Sequence, residues 1–393
     1  MNVLYVLHET LSMAGSAKSF KIMMRGLMQH GISPIVVMPD NKGIYDELSD
    51  WGIRTIVIPY RYNTYPWVHS AKDVLLFFPR LIARRIVNGL AVKKIVRDLK
   101  DYDVQLVHTN VSVCGIGYAV SRKLGVPHIY HIREYADKDH GLCFFPTKDS
   151  FLCQLMSPNS YNICITKDIQ RYFQQAGRSV SRVIYNGIHP SMDAFPQNTK
   201  ERFFLYAGRV VAIKGVLELV KAYNIYNKRI DNAMPLYIIG EKSDANYYNN
   251  LVSYIQKHHL EACVKILGQK DDIQDYMRRA WAIVIPSPCE GFGRCMPEAM
   301  FCGCLAIGHN TGGTMEQMDN GRELAGGEIA LRYETEAQLA DLLYNVSNRP
   351  FDDYLPYLQR AFTTVNQLYT SESYVNNVFQ FYTQILSHSL VKQ

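Results

Sequence analysis

The chain has 393 residues, a formal net charge of +6 and a hydrophobic fraction of 48%. A chain of this length exceeds one ordinary hydrophobic core, so we expect two domains. It contains no low-complexity tract and no obvious internal repeat. The mild positive charge does not by itself indicate a nucleic-acid-binding protein, although it suits an anionic ligand or an anionic lipid surface.

The chain begins MNVLYVLHE, which predicts a β-strand from the second residue. This start lacks the charged region and the apolar core of a cleavable signal peptide, and no apolar run is long enough to span a bilayer. The nine cysteines are scattered, and Cys302 and Cys304 lack the C-x-x-C spacing of zinc and redox sites. These features favour a cytoplasmic protein with reduced thiols.

Apolar runs alternate with amphipathic helical stretches along the first half of the chain. The candidate strands are NVLYVL, PIVVM, RTIVIP, VQLVHT, PHIYHI and NICIT, and the candidate helices include SFKIMMRGLMQH and GIGYAVSRKLG. This alternation predicts a parallel, doubly wound sheet with helices on both faces.

The same alternation restarts after a looser segment, GIHPSMDAFPQNTKE, at residues 187–201. The later strands are FFLYAG, LYIIG, VKILG, AIVIPS and LAIGH, with helices such as VLELVKAYNIYNKR and DDIQDYMRRA. We therefore expect Rossmann-like domains at residues 1–187 and 188–370, each with its ligand edge at the strand C-termini. A last helix, with Ser371 as a candidate N-cap, is expected to pack residues 371–393 back on the first domain.

Two cations follow the first strand of the second domain, in LYAGRVVAIKG. Gly208 and Arg209 end the strand, and Lys214 precedes a helical stretch. Glycine allows a close approach of the backbone to a ligand, and a helix start directs N–H groups at an anion. Arg209 and Lys214 therefore suit a diphosphate. The alternative is a pair of solvated surface cations beside a turn.

Two glutamates flank a glycine turn in SPCEGFGRCMPEAMFCG, at residues 287–303. The turn follows the apolar strand AIVIPS, and a helix is predicted to start at about Pro297, which puts Glu298 in its first turn. The Glu298 carboxylate can then accept hydrogen bonds from ribose hydroxyls, and Glu290 can accept them from a second sugar ring. The arrangement outlines a nucleotide-sugar site; alternatively, Glu298 is a plain helix-capping carboxylate.

Several segments together resemble retaining glycosyltransferase family 4, whose architecture is GT-B. They are LHETLSMAGSAKSF, VIYNGIH, GRVVAIKG, the Glu-x7-Glu segment PSPCEGFGRCMPEAM, and NTGGTME. Their order across most of the chain makes the resemblance specific. It implies an α/β fold with two Rossmann-like, doubly wound parallel-sheet domains that face each other across a cleft.

The resemblance also implies roles for single residues. Arg209 and Lys214 would bind the donor diphosphate and stabilise the leaving group. Glu298 would bind the ribose, and Glu290 the transferred sugar. The further donor-site residues are Gly208 and Gly240, with the backbone amides of Phe292, Gly293 and Arg294.

In the first domain, the resemblance implies that Gly15 and Ser16 approach the diphosphate or the acceptor. It also implies that His131, in PHIYHIREY, lies near the reacting centre. The alternative for His131 is a hydrogen-bonded histidine at a strand end. With Arg209, Lys214 and Glu290, it completes the predicted catalytic set.

Three positions depart from the family pattern. The glycine-rich turn after the middle strand reads Gly240-Glu241-Lys242, and Ala14 and His189 stand where the family commonly has glycine and aspartate. Asp101-Tyr102-Asp103 imitates a D-x-D metal motif, but it precedes its strand and is interpreted as a solvated turn. We therefore expect no metal and no cofactor.

The implied reaction moves a sugar, with retention, from a UDP- or GDP-sugar to an acceptor hydroxyl. The acceptor would be a lipid-linked or growing saccharide in cell-surface polysaccharide biosynthesis. Alternative interpretations are a nucleotide-sugar 2-epimerase of the same fold and a non-catalytic nucleotide-sugar-binding subunit. A nicotinamide dehydrogenase is disfavoured because no complete dinucleotide fingerprint occurs.

Residues 67–100 combine aromatic and aliphatic side chains with a basic set: Arg80, Arg84, Arg85, Lys93, Lys94, Arg97 and Lys100. One interpretation is a basic amphipathic helix on an anionic membrane, which would suit a polyprenyl-linked acceptor and a peripheral location on the inner face of the cell membrane. The other is a helix pair with one face in the core and a solvated basic face.

Overall fold

The computed structural model describes residues 1–8, 14–66 and 70–390. The chain divides into two compact units. Unit 1 comprises Met1–Gly187 together with Ser371–Gln393, and unit 2 comprises Ile188–Thr370. Each unit is built on one parallel sheet with helices between its strands, which confirms the α/β fold class.

Unit 1 contains a seven-stranded parallel sheet in the order β3-β2-β1-β5-β6-β8-β9. Its strands are β1 (Asn2–Val6), β2 (Ser33–Met38), β3 (Arg54–Val57), β5 (Leu106–Thr109), β6 (His128–Ile132), β8 (Ser160–Cys164) and β9 (Ser181–Val183). Two short strands, β4 (Thr64–Pro66) and β7 (Leu142–Phe144), form a separate antiparallel pair.

The helices of unit 1 connect successive strands, and one more comes from the end of the chain. They are α1 (Gly15–Gln29), α2 (Tyr45–Asp50), α3 (Ala71–Asp98), α4 (Ile116–Leu124), α5 (Asp137–His140), α6 (Lys148–Leu155), α7 (Lys167–Tyr172) and α15 (Ser371–Leu390). Ser371, the candidate N-cap, is the first residue of α15. The stretch that allowed a helix pair is one helix, α3, which continues through Pro79.

Unit 2 contains a six-stranded parallel sheet in the order β12-β11-β10-β13-β14-β15. Its strands are β10 (Glu201–Ala207), β11 (Leu236–Ile239), β12 (Val264–Gly268), β13 (Ala280–Ile285), β14 (Leu305–His309) and β15 (Leu331–Tyr333). Its helices are α8 (Val216–Asn227), α9 (Ala245–Lys257), α10 (Ile273–Arg279), α11 (Cys295–Phe301), α12 (Gly312–Ala325), α13 (Glu336–Asn348) and α14 (Leu355–Leu368). This order is that of a Rossmann sheet, whose ligand crevice lies where the strand order reverses, here between β10 and β13.

Helix α15 completes the core of unit 1 by packing on α1. Gly26 of α1 marks the contact, because a Cβ there would lie 2.3 Å from Cγ2 of Val375. Apolar residues of α15, including Val378 and Phe381, join Phe20 and the strand residues in one buried cluster. The last helix therefore belongs to the first domain although the chain reaches it from the second.

Three histidines lie inside unit 1, on β5 and β6. His108 Nε2 lies 3.1 Å from His131 Nδ1, and His128 Nε2 lies 2.7 Å from Thr109 Oγ1. His108 also hydrogen-bonds the hydroxyl of Tyr382 from α15. Burial lowers the pKa of His108 and His131 well below the usual value, with the charge of Arg133 as the next cause. These histidines are therefore neutral parts of the interior.

We expect the free energy of unfolding of unit 1 to fall as the pH drops below about 6.5, because buried neutral histidines gain a proton on unfolding. Burial lowers the pKa of His128 to about 3. Its contribution is therefore complete above the unfolded value of about 6.5 and is lost as the pH falls toward about 3, at up to about 1.4 kcal/mol per pH unit. In urea unfolding between about pH 6 and 5, the free energy of unfolding of His128→Asn should fall less steeply with decreasing pH than that of the unsubstituted protein, by about this amount. Parallel pH profiles would contradict this assignment.

Candidate active site

The predicted donor-site residues of unit 2 lie at the carboxyl ends of adjacent strands. Gly208 and Arg209 follow β10, Gly240 follows β11, and residues 286–294 follow β13. Strands β11, β10 and β13 are parallel neighbours. Their carboxyl ends therefore meet at one edge of the sheet, which is the usual ligand edge of this architecture.

Lys214 and Glu290 form an ion pair across this edge. Lys214 Nζ lies 2.5 Å from Glu290 Oε1, although the two residues are 76 positions apart in the sequence. The backbone brings the two loops close together at Gly215. This residue has a φ of +67°, and a Cβ there would lie 2.3 Å from the carbonyl oxygen of Pro286. The side chains remain 24% and 15% exposed, so both can still be reached by a ligand.

Arg209 is an exposed cation in the loop that follows β10. Its carbonyl oxygen accepts a hydrogen bond of 2.8 Å from the Tyr206 hydroxyl, which fixes the backbone of the loop. Burial raises the pKa of Tyr206 well above its usual value, and the negative charge of Glu290 raises it further, so this hydroxyl stays a donor. Within the described ranges, no carboxylate pairs with the Arg209 guanidinium.

Two glycines allow the loops after β10 and β11 to touch. A Cβ on Gly240 would lie 1.7 Å from the carbonyl oxygen of Gly208. Gly208 N donates to Ile239 O at 2.9 Å, and Gly240 N donates to Gly268 O at 2.9 Å. Any side chain at Gly240 would therefore push the β11 loop away from the loop that carries Arg209.

The Gly291-Phe292-Gly293 turn is held by the start of α12. Gly313 N donates to Glu290 O at 2.8 Å, and Gln317 Nε2 donates to Phe292 O at 2.5 Å. A Cβ on Gly313 would lie 2.7 Å from Phe292 O. The Phe292 side chain is buried, with its ring edge-on to Tyr369. The NTGGTME segment thus supports the turn that carries Glu290.

Glu298 pairs with Arg294 instead of standing alone at a helix start. Helix α11 begins at Cys295, two residues before the predicted start, because the Glu298 amide already donates to Arg294 O at 3.1 Å. Pro297 fits the first turn, where amide groups need no partner within the helix. Arg294 Nη2 lies 3.2 Å from Glu298 Oε1. The family motif implies a role only for the backbone of Arg294, although the i,i+4 spacing of Arg294 and Glu298 was a signal for their ion pair.

Cys295 is a further residue that the motifs do not reveal. Its thiol donates to Ala207 O at 3.4 Å. Burial raises the pKa of this thiol well above its usual value, and the charges of Glu298 and Glu290 raise it further. Cys295 is therefore a protonated thiol that links α11 to the end of β10.

The predicted residues of unit 1 have different surroundings. His131 is fully buried on β6, and its Nδ1 contacts His108 Nε2 and Arg133 Nη2, the latter at 3.2 Å. These contacts are those of a hydrogen-bonded core histidine, and its catalytic role stays a prediction. Gly15 and Ser16 form the first turn of α1, and residues 9–13 lie outside the described part of the chain.

Asp101 and Asp103 lie exposed in the turn between α3 and β5, at the amino end of the strand. In the described part of the chain, no three His, Cys, Asp or Glu side chains are grouped so as to hold a metal ion. The helices described there include none with the length and apolar character needed to cross a bilayer.

Two family models match the chain. The model described as glycosyl transferases group 1 matches residues 190–350, and the model described as glycosyltransferase family 4 matches residues 13–192. The chain therefore belongs to the family-4-like glycosyltransferases, as the resemblance predicted.

Known relatives match parts of the chain. An uncharacterized glycosyltransferase of Methanocaldococcus jannaschii is 26% identical over 242 residues, 60% of this chain and 64% of that protein. CapH of Staphylococcus aureus, a capsular polysaccharide biosynthesis glycosyltransferase, is 25% identical over 33% of this chain and 36% of its own. D-inositol 3-phosphate glycosyltransferase of Paenarthrobacter aurescens is 32% identical over 30% of this chain and 29% of its own. The chain thus spans less than two thirds of the length of each.

Solved structures match the whole chain. Anabaena HepE, in a complex with UDP, has a TM-score of 0.74 at 18% identity and covers 98% of this chain and 100% of its own. A glycosyltransferase of Rickettsia africae has a TM-score of 0.72 at 19% identity over 98% of both chains. Sucrose-phosphate synthase of Thermosynechococcus elongatus has a TM-score of 0.70 at 18% identity, over 99% of this chain and 100% of its own. These likenesses confirm the GT-B fold.

We expect Gly240→Ala to destabilise unit 2 by at least about 2 kcal/mol, because the added Cβ would collide with backbone rather than with a movable side chain. The matched control is Gly89→Ala in α3, where nothing lies within 4 Å of the added Cβ. This control should leave stability unchanged or raise it by up to about 1 kcal/mol. Urea unfolding measures both. Equal effects of the two substitutions would contradict the close approach of Gly240 and Gly208.

Proposed function

We propose that the protein transfers a glycosyl unit, with retention, from a UDP- or GDP-sugar to an acceptor hydroxyl. The observation that carries the proposal is the 2.5 Å contact between Lys214 and Glu290, which joins two family motifs at one sheet edge. Solved structures of Anabaena HepE contain UDP, UDP with glucose, or UDP-glucose, which supports a nucleotide-sugar donor.

The donor diphosphate would bind between Arg209 and Lys214. Arg209 is exposed and can offer two parallel N–H donors to phosphate oxygens, while Lys214 acts as a point charge. Lys214 is held by Glu290, so its ammonium group is directed before a donor arrives. Such fixed charges need little rearrangement when negative charge develops on a leaving group.

The two glutamates would hold the ends of the donor. Glu290 accepts hydroxyls of the transferred sugar next to the diphosphate, and Glu298 accepts the ribose hydroxyls. Arg294 orients the Glu298 carboxylate through their 3.2 Å contact. The Gly291-Phe292-Gly293 turn separates the two carboxylates, and its anchoring to α12 keeps that separation fixed.

In the reaction, the bond between the anomeric carbon and the diphosphate oxygen breaks, and its electron pair stays on the diphosphate. The acceptor oxygen forms the new bond on the same face of the sugar, and its proton passes to a diphosphate oxygen. Arg209 and Lys214 supply the positive charge that stabilises the diphosphate, so the proposed step uses no metal. Because the negative charge on the diphosphate grows toward the transition state, these contacts stabilise the transition state more than the ground state.

The proposed acceptor is a lipid-linked or growing saccharide of a cell-surface polysaccharide, reached by a cytoplasmic enzyme that can attach to the inner face of the membrane. The similarity to CapH, whose name places it in capsular polysaccharide biosynthesis, supports this acceptor class. A 2-epimerase would instead convert its donor without any acceptor, which gives a direct way to separate the two activities.

Lys214→Ala should lower kcat/KM for transfer by about a hundredfold or more, because it removes a charge that stabilises the leaving group. The assay screens UDP- and GDP-sugars by thermal shift and then measures nucleotide release with saccharide and polyprenyl-linked acceptors. The matched control is Lys221→Ala, which removes a lysine of α8 that pairs with Glu218 and Glu336. It should stay within about twofold of the unsubstituted rate.

Three results would count against the proposal. Turnover of Lys214→Ala at the unsubstituted rate would remove the diphosphate role. An isomerised donor in the absence of acceptor would identify an epimerase. A panel in which no nucleotide sugar changes the melting temperature would exclude this donor class.

A further inference from the structure

Helix α3 carries an outward-facing apolar stripe. The large hydrophobic side chains exposed in the described residues number ten, and six of them lie on this helix: Val74, Leu75, Phe78, Ile82, Ile86 and Leu90. Their exposure ranges from 57% to 78%. Single exposed apolar residues are normal on a soluble protein, but five of these six follow one another at four-residue spacing, with Leu75 next to the first, and so form a continuous strip on the helix surface. We call these six residues the α3 stripe.

The stripe lies on the side of α3 that the described residues of unit 1 leave exposed. The buried residues of α3 are Ala91, Val92 and Ile95, all in its last third. Over residues 71–90 the helix also contacts unit 1, because Phe77 and Arg84 pack on Tyr65. The stripe lies on the other side of the helix and is exposed to solvent. A helix whose apolar face is directed outward over this length indicates an external surface that covers it.

The charges of α3 show which kind of surface fits. The helix contains seven lysines and arginines but only Asp73 and Asp98 as acids. Arg80 pairs with Asp73 at 3.1 Å, and Arg97 pairs with Asp98 at 3.3 Å. Four exposed cations make no ion pair within the described residues: Lys72, Arg85, Lys93 and Lys94. Lys72 precedes the stripe, Arg85 lies within its length, and Lys93 and Lys94 follow it.

We propose that α3 lies on the surface of an anionic phospholipid bilayer. The stripe would enter the boundary between headgroups and acyl chains, and the four cations would contact phosphate groups around it. At about 1.5 Å per residue, α3 is about 42 Å long, enough to lie flat across many headgroups. A second copy of the chain fits less well, because two stripes in contact would bring two cation-rich helices together.

This surface is independent of the proposed sugar transfer, and it is tested without donor or acceptor. The full chain is sedimented with vesicles of phosphatidylcholine alone, or of phosphatidylcholine and phosphatidylglycerol in equal parts. We expect binding to the anionic vesicles at low salt, weaker binding at high salt, and little binding to phosphatidylcholine. Salt should weaken the binding because it screens the cations.

Two double variants separate the apolar and the electrostatic contributions. Phe78→Gln with Ile82→Gln should lower the partition coefficient at least about tenfold, because two apolar contacts with the acyl chains are lost. Lys93→Gln with Lys94→Gln should lower the partition coefficient about 25-fold at low salt, at about fivefold per cation, and much less at high salt. The matched control replaces Leu324 and Tyr344 of unit 2, each 39% exposed, by Gln and should bind as the unsubstituted chain does.

Absence of binding to anionic vesicles by the unsubstituted chain would overturn the proposal. So would equal binding by the Phe78 and Ile82 variant. Sedimentation velocity supplies a third outcome: a dimer that dissociates in that variant, without vesicle binding, would make the stripe an interface between copies of this chain.

Discussion

Close backbone contacts at glycines hold the candidate site together. Gly240 touches the Gly208 carbonyl, Gly215 touches Pro286, and Gly313 touches Phe292, in each case at a distance that excludes a Cβ. These contacts join the loops that follow β10, β11, β13 and β14. An ion pair with both partners partly exposed contributes only about 0.2–1 kcal/mol, so the Lys214–Glu290 pair does not by itself create this geometry. The backbone brings the loops together, and the charged side chains then meet.

The charges at this edge are balanced in a way that suits a polyanionic ligand. Glu290 and Glu298 each contact one cation, Lys214 and Arg294 respectively. Because the carboxylates are paired, they repel a diphosphate less than two isolated carboxylates would. Arg209 adds a cation that no described carboxylate neutralises. The edge can therefore attract phosphate while it still offers carboxylate oxygens to sugar hydroxyls.

The sequence predicted the sheets well because buried parallel strands form near-continuous apolar runs. It missed the four strands of three residues each, which have no such run: β4, β7, β9 and β15. For the candidate site, it predicted Arg209, Lys214 and the two glutamates, since their motifs are local. It missed the pairing of Lys214 with Glu290, because a contact across 76 residues depends on strand order. The local motif likewise does not predict whether the His131 side chain is exposed or buried, because a histidine near a strand end can be either.

Helix α15 gives the two units different requirements for folding, because it belongs to unit 1 but follows unit 2 in the chain. Unit 2 is one continuous segment, whereas the interior of unit 1 needs α15. Arg133 Nη2 donates to the Tyr374 hydroxyl at 2.9 Å, and His108 contacts the Tyr382 hydroxyl. Without α15, these buried polar groups would lose partners, at about 1–3 kcal/mol for each group left unsatisfied. The native packing of unit 1 therefore requires the end of the chain, which follows all of unit 2, so unit 2 is the part able to fold from contiguous sequence.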